Sequence, residues 1–208
     1  MDNRFLAFSL VSFIIVLLLT PATRWLASRV GMVRPPRPDR WHTKPTALLG
    51  GLPIFLGFAM AMALTGRNGS RSWGILAGSA SVFLLGLLDD CFHLRPFLKV
   101  VGVILASGLV LQSGLHLPWF ESPALNVGLT IFWMVGITNA LNLLDNMDGL
   151  AAGIAAIAAL FLALSFLIGN QPEEAMIAGI FAGAVLGFLV YNFPPASIFM
   201  GEIGRAHV

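Results

Sequence analysis

The sequence predicts an all-α membrane protein, a polytopic bundle of seven transmembrane helices. The 208-residue chain contains 57% hydrophobic and only 11% charged residues, and its mean hydropathy is +0.86. A soluble domain needs roughly 25% charged residues to cover its surface. The apolar residues are also grouped into runs of about 17 to 20 residues, which are long enough to cross the hydrocarbon core as helices.

Seven such apolar runs follow one another along the chain. They are Phe5–Leu26 (interrupted by Pro21), Leu48–Leu64, Trp73–Leu88, Val100–Leu115, Leu125–Leu144, Leu150–Ile168 and Ala175–Phe193. The first run is interpreted as a retained helix and not a signal peptide, because its basic residues follow the apolar stretch and no A-x-A cleavage pattern ends it. Glycines spaced by four predict faces where helices pack closely. They are Gly149/Gly153 and Gly179/Gly183/Gly187.

The basic residues indicate the orientation. If the connections alternate across the membrane, one side holds eight basic residues and the other side three. The eight are Arg24, Arg29, Arg34, Arg37, Arg40, Lys44, Arg95 and Lys99, and the three, on the side of the N-terminus, are Arg4, Arg67 and Arg71. The positive-inside rule therefore predicts that the first side is cytoplasmic and that the N-terminus lies outside. The net charge of +2 reflects this topology and does not indicate nucleic-acid binding.

Carboxylates collect on the predicted cytoplasmic side. They are Asp39, Asp89, Asp90, Asp145, Asp148 and Glu202, and five of these six lie at or just beyond the end of an apolar run. Ionisable groups at membrane depth are expensive unless they face a cavity, a partner or a metal, so these residues are candidates for function. The adjacent Asp89 and Asp90 repel each other unless a cation is near.

Four oxygen-bearing side chains follow at intervals of three residues, at Asn139, Asn142, Asp145 and Asp148. In a helical stretch they can stack along one face. Such a row of hard oxygen donors suits Mg2+, which takes one or two protein carboxylates together with water and substrate phosphates. With the cationic first connection, this favours a phosphorylated, lipidic substrate. The absence of GxxxxGK and of GxGxxG after a strand excludes a P-loop or a Rossmann nucleotide site.

Four segments then resemble, in order and spacing, the signature loops of the polyprenyl-phosphate N-acetylhexosamine-1-phosphate transferases (glycosyltransferase family 4). They are "RWHTKPTALLGGLPIF", "GLLDDCFHLRPFLK", "NALNLLDNMDGLAAG" and "YNFPPASIFMG". The resemblance covers residues 1–201 and implies a single integral-membrane transferase domain. It implies Mg2+-dependent transfer of a sugar 1-phosphate from a UDP-sugar to a polyprenyl phosphate such as undecaprenyl phosphate, with release of UMP, at the cytoplasmic face of the cell (inner) membrane.

The resemblance also assigns roles to single residues. It places Asp89 and Asp90 beside the lipid phosphate as the catalytic pair, one of them removing its proton. Lys99 matches a lysine that contacts phosphate, Asn142 matches a magnesium ligand, and Asp148 matches a contact with the nucleotide. The other expected substrate-binding residues are His42, Lys44, Asn139, Asp145 and Asn192.

The end of the chain reads "FMGEIGRAHV", where the family motif reads FMGDxGS. The aspartate of that motif is the other magnesium ligand, so Glu202 stands at a metal-ligand position. The codons GAG ATC GGA AGA GCA CAC GTC would encode residues 202–208 and match a common sequencing-adaptor sequence. This match leads to the hypothesis of a non-native tail at 202–208 behind a C-terminally truncated domain, and the fragment itself is then expected to be inactive.

Two other functions are compatible with the sequence. The plain "HTKPTALLGG" lacks the GTPTMGG pattern of the lipid I enzyme and favours GlcNAc as the sugar, with the phospho-MurNAc-pentapeptide transferase as the alternative. From another class, an ion-coupled transporter would also carry acidic residues, but near the middle of its spans.

The expected partners are a UDP-N-acetylhexosamine, a polyprenyl phosphate and the lipid bilayer, without nucleic acid, and a homodimer is left open.

Overall fold

The computed structural model describes residues 3–34, 46–67 and 69–201. Within these ranges it contains seven α-helices and one two-stranded sheet. The helices are α1 Asn3–Arg29, α2 Gly51–Leu64, α3 Ser70–Phe92, α4 Pro96–Gln112, α5 Pro123–Leu144, α6 Leu150–Ile168 and α7 Pro172–Asn192. The sheet pairs β1 (Val33–Arg34) with β2 (Thr46–Ala47) in antiparallel register. The all-α fold class is confirmed.

Five helices of the described part, α1, α3, α5, α6 and α7, are long and apolar enough to cross a membrane. The chain is a multi-pass membrane protein. The predicted second and fourth spans exist as apolar helices, but α2 has only 14 residues and α4 only 17. They measure about 21 and 26 Å at 1.5 Å per residue, against a hydrocarbon core of roughly 30 Å.

Both short helices have a local cause. Before α2, the backbone N–H of Leu48 bonds to the carbonyl of Met32 at 3.0 Å, and Leu49 has a φ of 78°, so the helix cannot begin before Gly51. After α4, the chain turns at Gly114, which has a φ of 84°. Glycine adopts that left-handed conformation without steric cost.

The chain divides into two compact units. The first unit contains α1, α2, α6, α7 and the sheet, and its described residues lie up to position 66 and from 145 to 201. The second unit contains α3, α4 and α5 within residues 67–144. The expectation of one transferase domain over residues 1–201 stays a prediction.

In the first unit, α1 packs closely along the glycine face of α7. A Cβ atom added to Gly183 would overlap the backbone oxygen of Ser9, and one added to Gly187 would lie 2.6 Å from the backbone oxygen of Phe13. The packing face predicted at Gly179/Gly183/Gly187 is confirmed.

The packing face predicted at Gly149/Gly153 is wrong at Gly153. No heavy atom lies within 4 Å of a Cβ built on Gly153, so this glycine does not bring another helix close. Gly149, with a φ of 72° immediately before α6 begins, does approach α7, because a Cβ built on it would lie 3.5 Å from Cδ1 of Leu189. Spacing by four predicts a small-residue face only where a partner helix covers that face.

Pro21 lies inside α1 without ending it. A proline has no N–H, so the carbonyl of Leu17, four residues earlier, loses its helical partner. The hydroxyl of Tyr191 on α7 donates to this carbonyl at 3.1 Å. The hydroxyl of Thr20, beside the proline, donates to the carbonyl of Val16 at 2.7 Å. A membrane helix tolerates proline where neighbouring groups satisfy the freed backbone in this way.

In the second unit, α3 and α4 form an antiparallel pair. Gly74 near the start of α3 faces Ser113 just after α4, and a Cβ on Gly78 would lie 2.5 Å from Cγ2 of Val110. The end of α3 and the start of α4 therefore lie together at the opposite end of this pair.

Candidate functional site

Asp89 and Lys99 join the last turn of α3 to the first turn of α4. The Lys99 ammonium donates to Oδ2 of Asp89 at 2.6 Å, and the backbone N–H of Leu94 donates to Oδ1 at 3.0 Å. The Asp89 side chain is 6% exposed and the Lys99 side chain 30%. A buried carboxylate needs such compensation. Lys99 is thus the cation that the two adjacent aspartates were expected to require.

The connection between these two helices is a tight turn. His93 caps α3 in the left-handed conformation, with a φ of 52°, and its N–H bonds to the carbonyl of Asp89 at 2.8 Å. Pro96 occupies the start of α4, where its missing N–H is not needed. Asp90 is half-buried beside Asp89. The turn therefore brings two carboxylates and one ammonium to the same end of the α3–α4 pair.

The predicted row of four oxygen-bearing side chains is interrupted. Asn139 and Asn142 lie on α5, but the helix ends at Leu144, and Asp145 and Asp148 lie in the turn 145–149. Asparagine, aspartate and glycine dominate this stretch and favour turns over helix. The single helical face expected from the three-residue spacing is therefore wrong beyond Asn142.

The two asparagines of α5 differ in their surroundings. Asn139 is exposed, and its side-chain Nδ2 donates to the carbonyl of Val135 on its own helix at 2.8 Å. Asn142 is half-buried in the last turn of α5.

Asn192 joins the turn 145–149 to the segment that follows α7, which we call the 193–201 loop. Its Oδ1 accepts the N–H of Gly149 at 3.1 Å, and its Nδ2 donates to the carbonyl of Ile198 at 2.9 Å. Asn192 is only 2% exposed. Both polar atoms of its side chain are therefore bonded to backbone, and the substrate contact expected of Asn192 stays a prediction.

Asp148 makes a second tie between the same two segments. Its Oδ2 accepts the backbone N–H of Ala196 at 3.0 Å. Two ties at different points restrain the 193–201 loop more firmly than one, because a single hydrogen bond still permits rotation about itself.

The 193–201 loop is also paired with the beginning of α2. The N–H of Phe199 bonds to the carbonyl of Ala47 at 2.9 Å, and the carbonyls of Phe199 and Met200 accept the N–H groups of Gly50 and Gly51 at 2.8 and 2.9 Å. A Cβ on Gly50 would lie 2.5 Å from the Phe199 oxygen. Gly50 is thus required by close approach of two backbones, and the loop has a defined position.

Comparison with known proteins identifies the family of this chain. A family model described as glycosyl transferase family 4 matches residues 72–207, more than half of the chain. The chain belongs to glycosyl transferase family 4. The family match contains the Asp89–Lys99 pair, Asn142, the turn 145–149 and the 193–201 loop. The resemblance inferred from the four signature segments is confirmed.

Several family 4 relatives align with most of the chain. A Bacillus subtilis (strain 168) protein named "probable undecaprenyl-phosphate N-acetylglucosaminyl 1-phosphate transferase" is 34% identical over 94% of this chain and 57% of its own length. A decaprenyl-phosphate N-acetylglucosaminephosphotransferase of Mycobacterium tuberculosis (strain CDC 1551 / Oshkosh) is 34% identical over 94% of the chain and 55% of its own length.

A third relative carries a different name. The phospho-N-acetylmuramoyl-pentapeptide-transferase of Heliobacterium modesticaldum (strain ATCC 51547 / Ice1) is 33% identical over 76% of the chain and 56% of its own length. The chain thus spans a little more than half the length of these curated relatives.

Three of the residues expected at the family 4 site, His42, Lys44 and Glu202, lie outside the described residues. Within residues 3–34, 46–67 and 69–201, no group of three or more His, Cys, Asp or Glu side chains could hold a metal ion. Gly50, in contrast, is not among the predicted site residues. Its signal is the glycine pair in "ALLGGLP", since adjacent glycines mark turns and close backbone approaches.

Proposed function

We propose that this family 4 protein transfers a sugar 1-phosphate, GlcNAc-1-phosphate, from a UDP-sugar to a polyprenyl phosphate and releases UMP at the cytoplasmic face of the cell (inner) membrane. The observation that carries the proposal is the buried Asp89 paired with the partly exposed Lys99 inside the family match. Support also comes from the names of the Bacillus and Mycobacterium relatives, which specify polyprenyl phosphates and N-acetylglucosamine.

The reaction exchanges one phosphoanhydride for another. An oxygen of the lipid phosphate forms a bond to the phosphorus of the sugar phosphate. The bond from that phosphorus to the bridging oxygen of UMP breaks, and UMP leaves with the electron pair. Because the bond types balance, the protein needs to supply positioning and charge neutralisation but no energy source.

Lys99 is proposed to neutralise a phosphate oxygen. An ammonium has three N–H donors, and the donor engaged by Asp89 fixes the direction of the others. The Asp89 carboxylate already accepts hydrogen bonds from two groups of the protein, the Lys99 ammonium and the Leu94 N–H. We therefore assign Asp89 to positioning Lys99, and we assign Asp90 to accepting the proton of the lipid phosphate.

The turn 145–149 and the 193–201 loop are proposed to hold the nucleotide end of the donor. Asp148 and Asn192 keep these segments in register, while Asp145 and Asn139 contact the substrate. His42 and Lys44, in the cationic first connection, are proposed to attract the donor's phosphates.

Mg2+ is the proposed cofactor. Asn142 offers an amide oxygen from a half-buried position, and an oxygen ligand of this kind suits a hard cation. Mg2+ usually keeps several waters and relies on one or two protein oxygens plus substrate phosphates. Asn142 and residue 202 would hold the ion, which neutralises charge on the pyrophosphate when bound.

The test measures UMP release from UDP-GlcNAc with undecaprenyl phosphate and Mg2+ in proteoliposomes. Because the chain spans 57% of the Bacillus relative, it is assayed alone and also joined to the part of that relative that the alignment does not cover. We expect the joined protein to release UMP only when the lipid phosphate is present. Release that is independent of lipid phosphate would refute the proposal.

The lipid I reaction is the second candidate, because the Heliobacterium relative is named for it. The same assay with UDP-MurNAc-pentapeptide discriminates the two, and a higher kcat/KM for this donor would assign the second function. Membership of family 4 argues against the ion-coupled transporter.

A further inference from the structure

The connection between α4 and α5, residues 113–122, is fastened by side chains of α5. Asn126 accepts the N–H of Phe120 through Oδ1 and donates to the Phe120 carbonyl through Nδ2, both at 2.9 Å. The hydroxyl of Thr130 accepts the N–H of Leu117 at 3.0 Å and donates to the carbonyl of Asn126 at 2.7 Å. Asn126 and Thr130 are 6% and 5% exposed. Three backbone groups of the connection thus find partners within the protein.

This fastening matches the requirements of backbone that is withdrawn from water. A loop in water can leave its N–H and carbonyl groups to the solvent. Backbone in the hydrocarbon region has no such partner and must be satisfied internally. The connection also follows a short helix, since α4 has 17 residues, and so it begins nearer to the hydrocarbon than it would after a full-length span.

The exposed side chains of the connection also indicate an environment withdrawn from water. Trp119 is 68% exposed and Phe120 is 51% exposed. Trp73 at the start of α3 is 60% exposed and lies at the same end of the second unit, because its neighbour Gly74 faces Ser113. Tryptophan combines a large apolar ring with one N–H donor and is enriched where membrane meets water.

We propose that the 113–122 connection is an interfacial anchor that inserts Trp119 and Phe120 between the lipid headgroups and the acyl chains. The exposed Glu121, directly after the pair, marks the water side of this boundary. The anchor fixes the depth of the second unit independently of the proposed transfer reaction. Phe132, nine residues after the start of α5 at Pro123, lies about 14 Å further along that helix and so near the middle of the bilayer.

The test measures depth in the chain reconstituted into nanodiscs of phosphatidylcholine and phosphatidylglycerol. Cys91 is the only cysteine of the chain, and the substitution Cys91→Ser removes it. In this background, single cysteines are introduced by Trp119→Cys, Glu121→Cys or Phe132→Cys, and a nitroxide spin label is attached to each. Collisions with oxygen report lipid and collisions with a water-soluble nickel chelate report solvent. Positions 121 and 132 are the matched controls for water and for the acyl region.

We expect the ratio of oxygen to nickel collisions at position 119 to lie between the two controls and severalfold above that of position 121. A ratio equal to that of position 121 places the residue in water and overturns the proposal. Low accessibility to both reagents means that protein, such as a second copy of the chain, covers Trp119, and this outcome overturns the proposal too.

A second measurement avoids the cysteine variants, which could misfold. Brominated phosphatidylcholines quench tryptophan fluorescence according to the depth of the bromine. The difference between the unmodified chain and Trp119→Phe gives the contribution of Trp119. We expect the strongest quenching from lipids brominated near the headgroup end of the acyl chain, and no quenching at any bromine position would refute the anchor.

Discussion

The hydroxyl of Tyr191 donates a hydrogen bond to the carbonyl of Leu17, the group that Pro21 leaves without its helical partner. The two residues are 174 positions apart in the chain and connect the last described helix with the first. The same end of α7 carries Asn192, so the support for a proline in α1 and the anchor of the 193–201 loop lie on neighbouring residues.

Tyr191→Phe should lower the free energy of unfolding by about 1–2 kcal/mol, because it leaves a half-buried carbonyl unpaired. Reversible unfolding in mixed micelles measures this loss. Pro21→Ala restores an N–H for the Leu17 carbonyl, so in that background the same tyrosine change should cost about 1 kcal/mol less. Equal costs in both backgrounds would show that the two groups are not coupled.

Gly183→Ala should destabilise the protein by about 1–3 kcal/mol, because the new methyl group would overlap the backbone of α1 at Ser9. Gly153→Ala is the matched control. It places the same methyl group where no heavy atom lies within 4 Å, so stability should stay constant or rise by up to about 1 kcal/mol. The melting temperatures of the two variants measure this difference. A similar loss of stability in both would contradict the close packing of α1 against α7.

Asp89→Asn should reduce kcat in the joined protein by about 100-fold, since Lys99 loses the charge that orients it. If Asp89 acts through Lys99, the double variant Asp89→Asn/Lys99→Met should be no slower than the slower single variant. Multiplicative losses would instead give Asp89 an independent role.

Asp90→Asn should abolish turnover under the proposed function, since an amide cannot take the proton of the lipid phosphate. Its thermal stability should fall less than that of Asp89→Asn, because Asp90 is half-buried and Asp89 is buried. Turnover at the unmodified rate would remove Asp90 from the mechanism.

Asp148→Ala should destabilise the fold by about 1–3 kcal/mol through loss of the hydrogen bond from Ala196. Asp148→Asn keeps an oxygen acceptor at the same place and should retain most of that stability. Hydrogen exchange at the Ala196 amide provides a local readout, with faster exchange in the alanine variant only. Unchanged exchange in both variants would mean that this bond does not hold the 193–201 loop.

Asn142→Ala should raise the Mg2+ concentration for half-maximal activity at least about tenfold, as expected for loss of a metal ligand. Gly136→Ala, on the same helix and in open space, is the control and should leave the titration unchanged. An unaltered midpoint in Asn142→Ala would count against its role as a ligand.

Features set by near neighbours in the chain were predictable. Apolar runs predicted the seven helices, because run length is a local property of the chain. The glycine triplet of α7 predicted a packing face, because its spacing lies within one helix. The pair Gly149/Gly153 has the same spacing, but nothing packs against Gly153. Its partner face is a property of the tertiary structure, which spacing alone does not contain.

The hydrogen bonds that hold the candidate site together were less predictable from the sequence. Asn192 reaches Gly149 across 43 positions and Asp148 reaches Ala196 across 48, and no local pattern reports bonds of that range. The residue types were nevertheless informative. Carboxylates beside apolar runs predicted that Asp89 and Asp148 matter, and the family resemblance added Asn192. Neither predicted that each of these side chains would bond to backbone.

Helix α2 is about 9 Å shorter than a hydrocarbon core of roughly 30 Å. A bilayer accommodates such hydrophobic mismatch by thinning locally, and we expect a thinner leaflet beside α2 wherever that helix is embedded. Under the proposed function, a polyprenyl phosphate in this thinner region would hold its phosphate lower than the surrounding headgroups. Membrane deformation would then favour long acceptor lipids near the protein before any side chain recognises them.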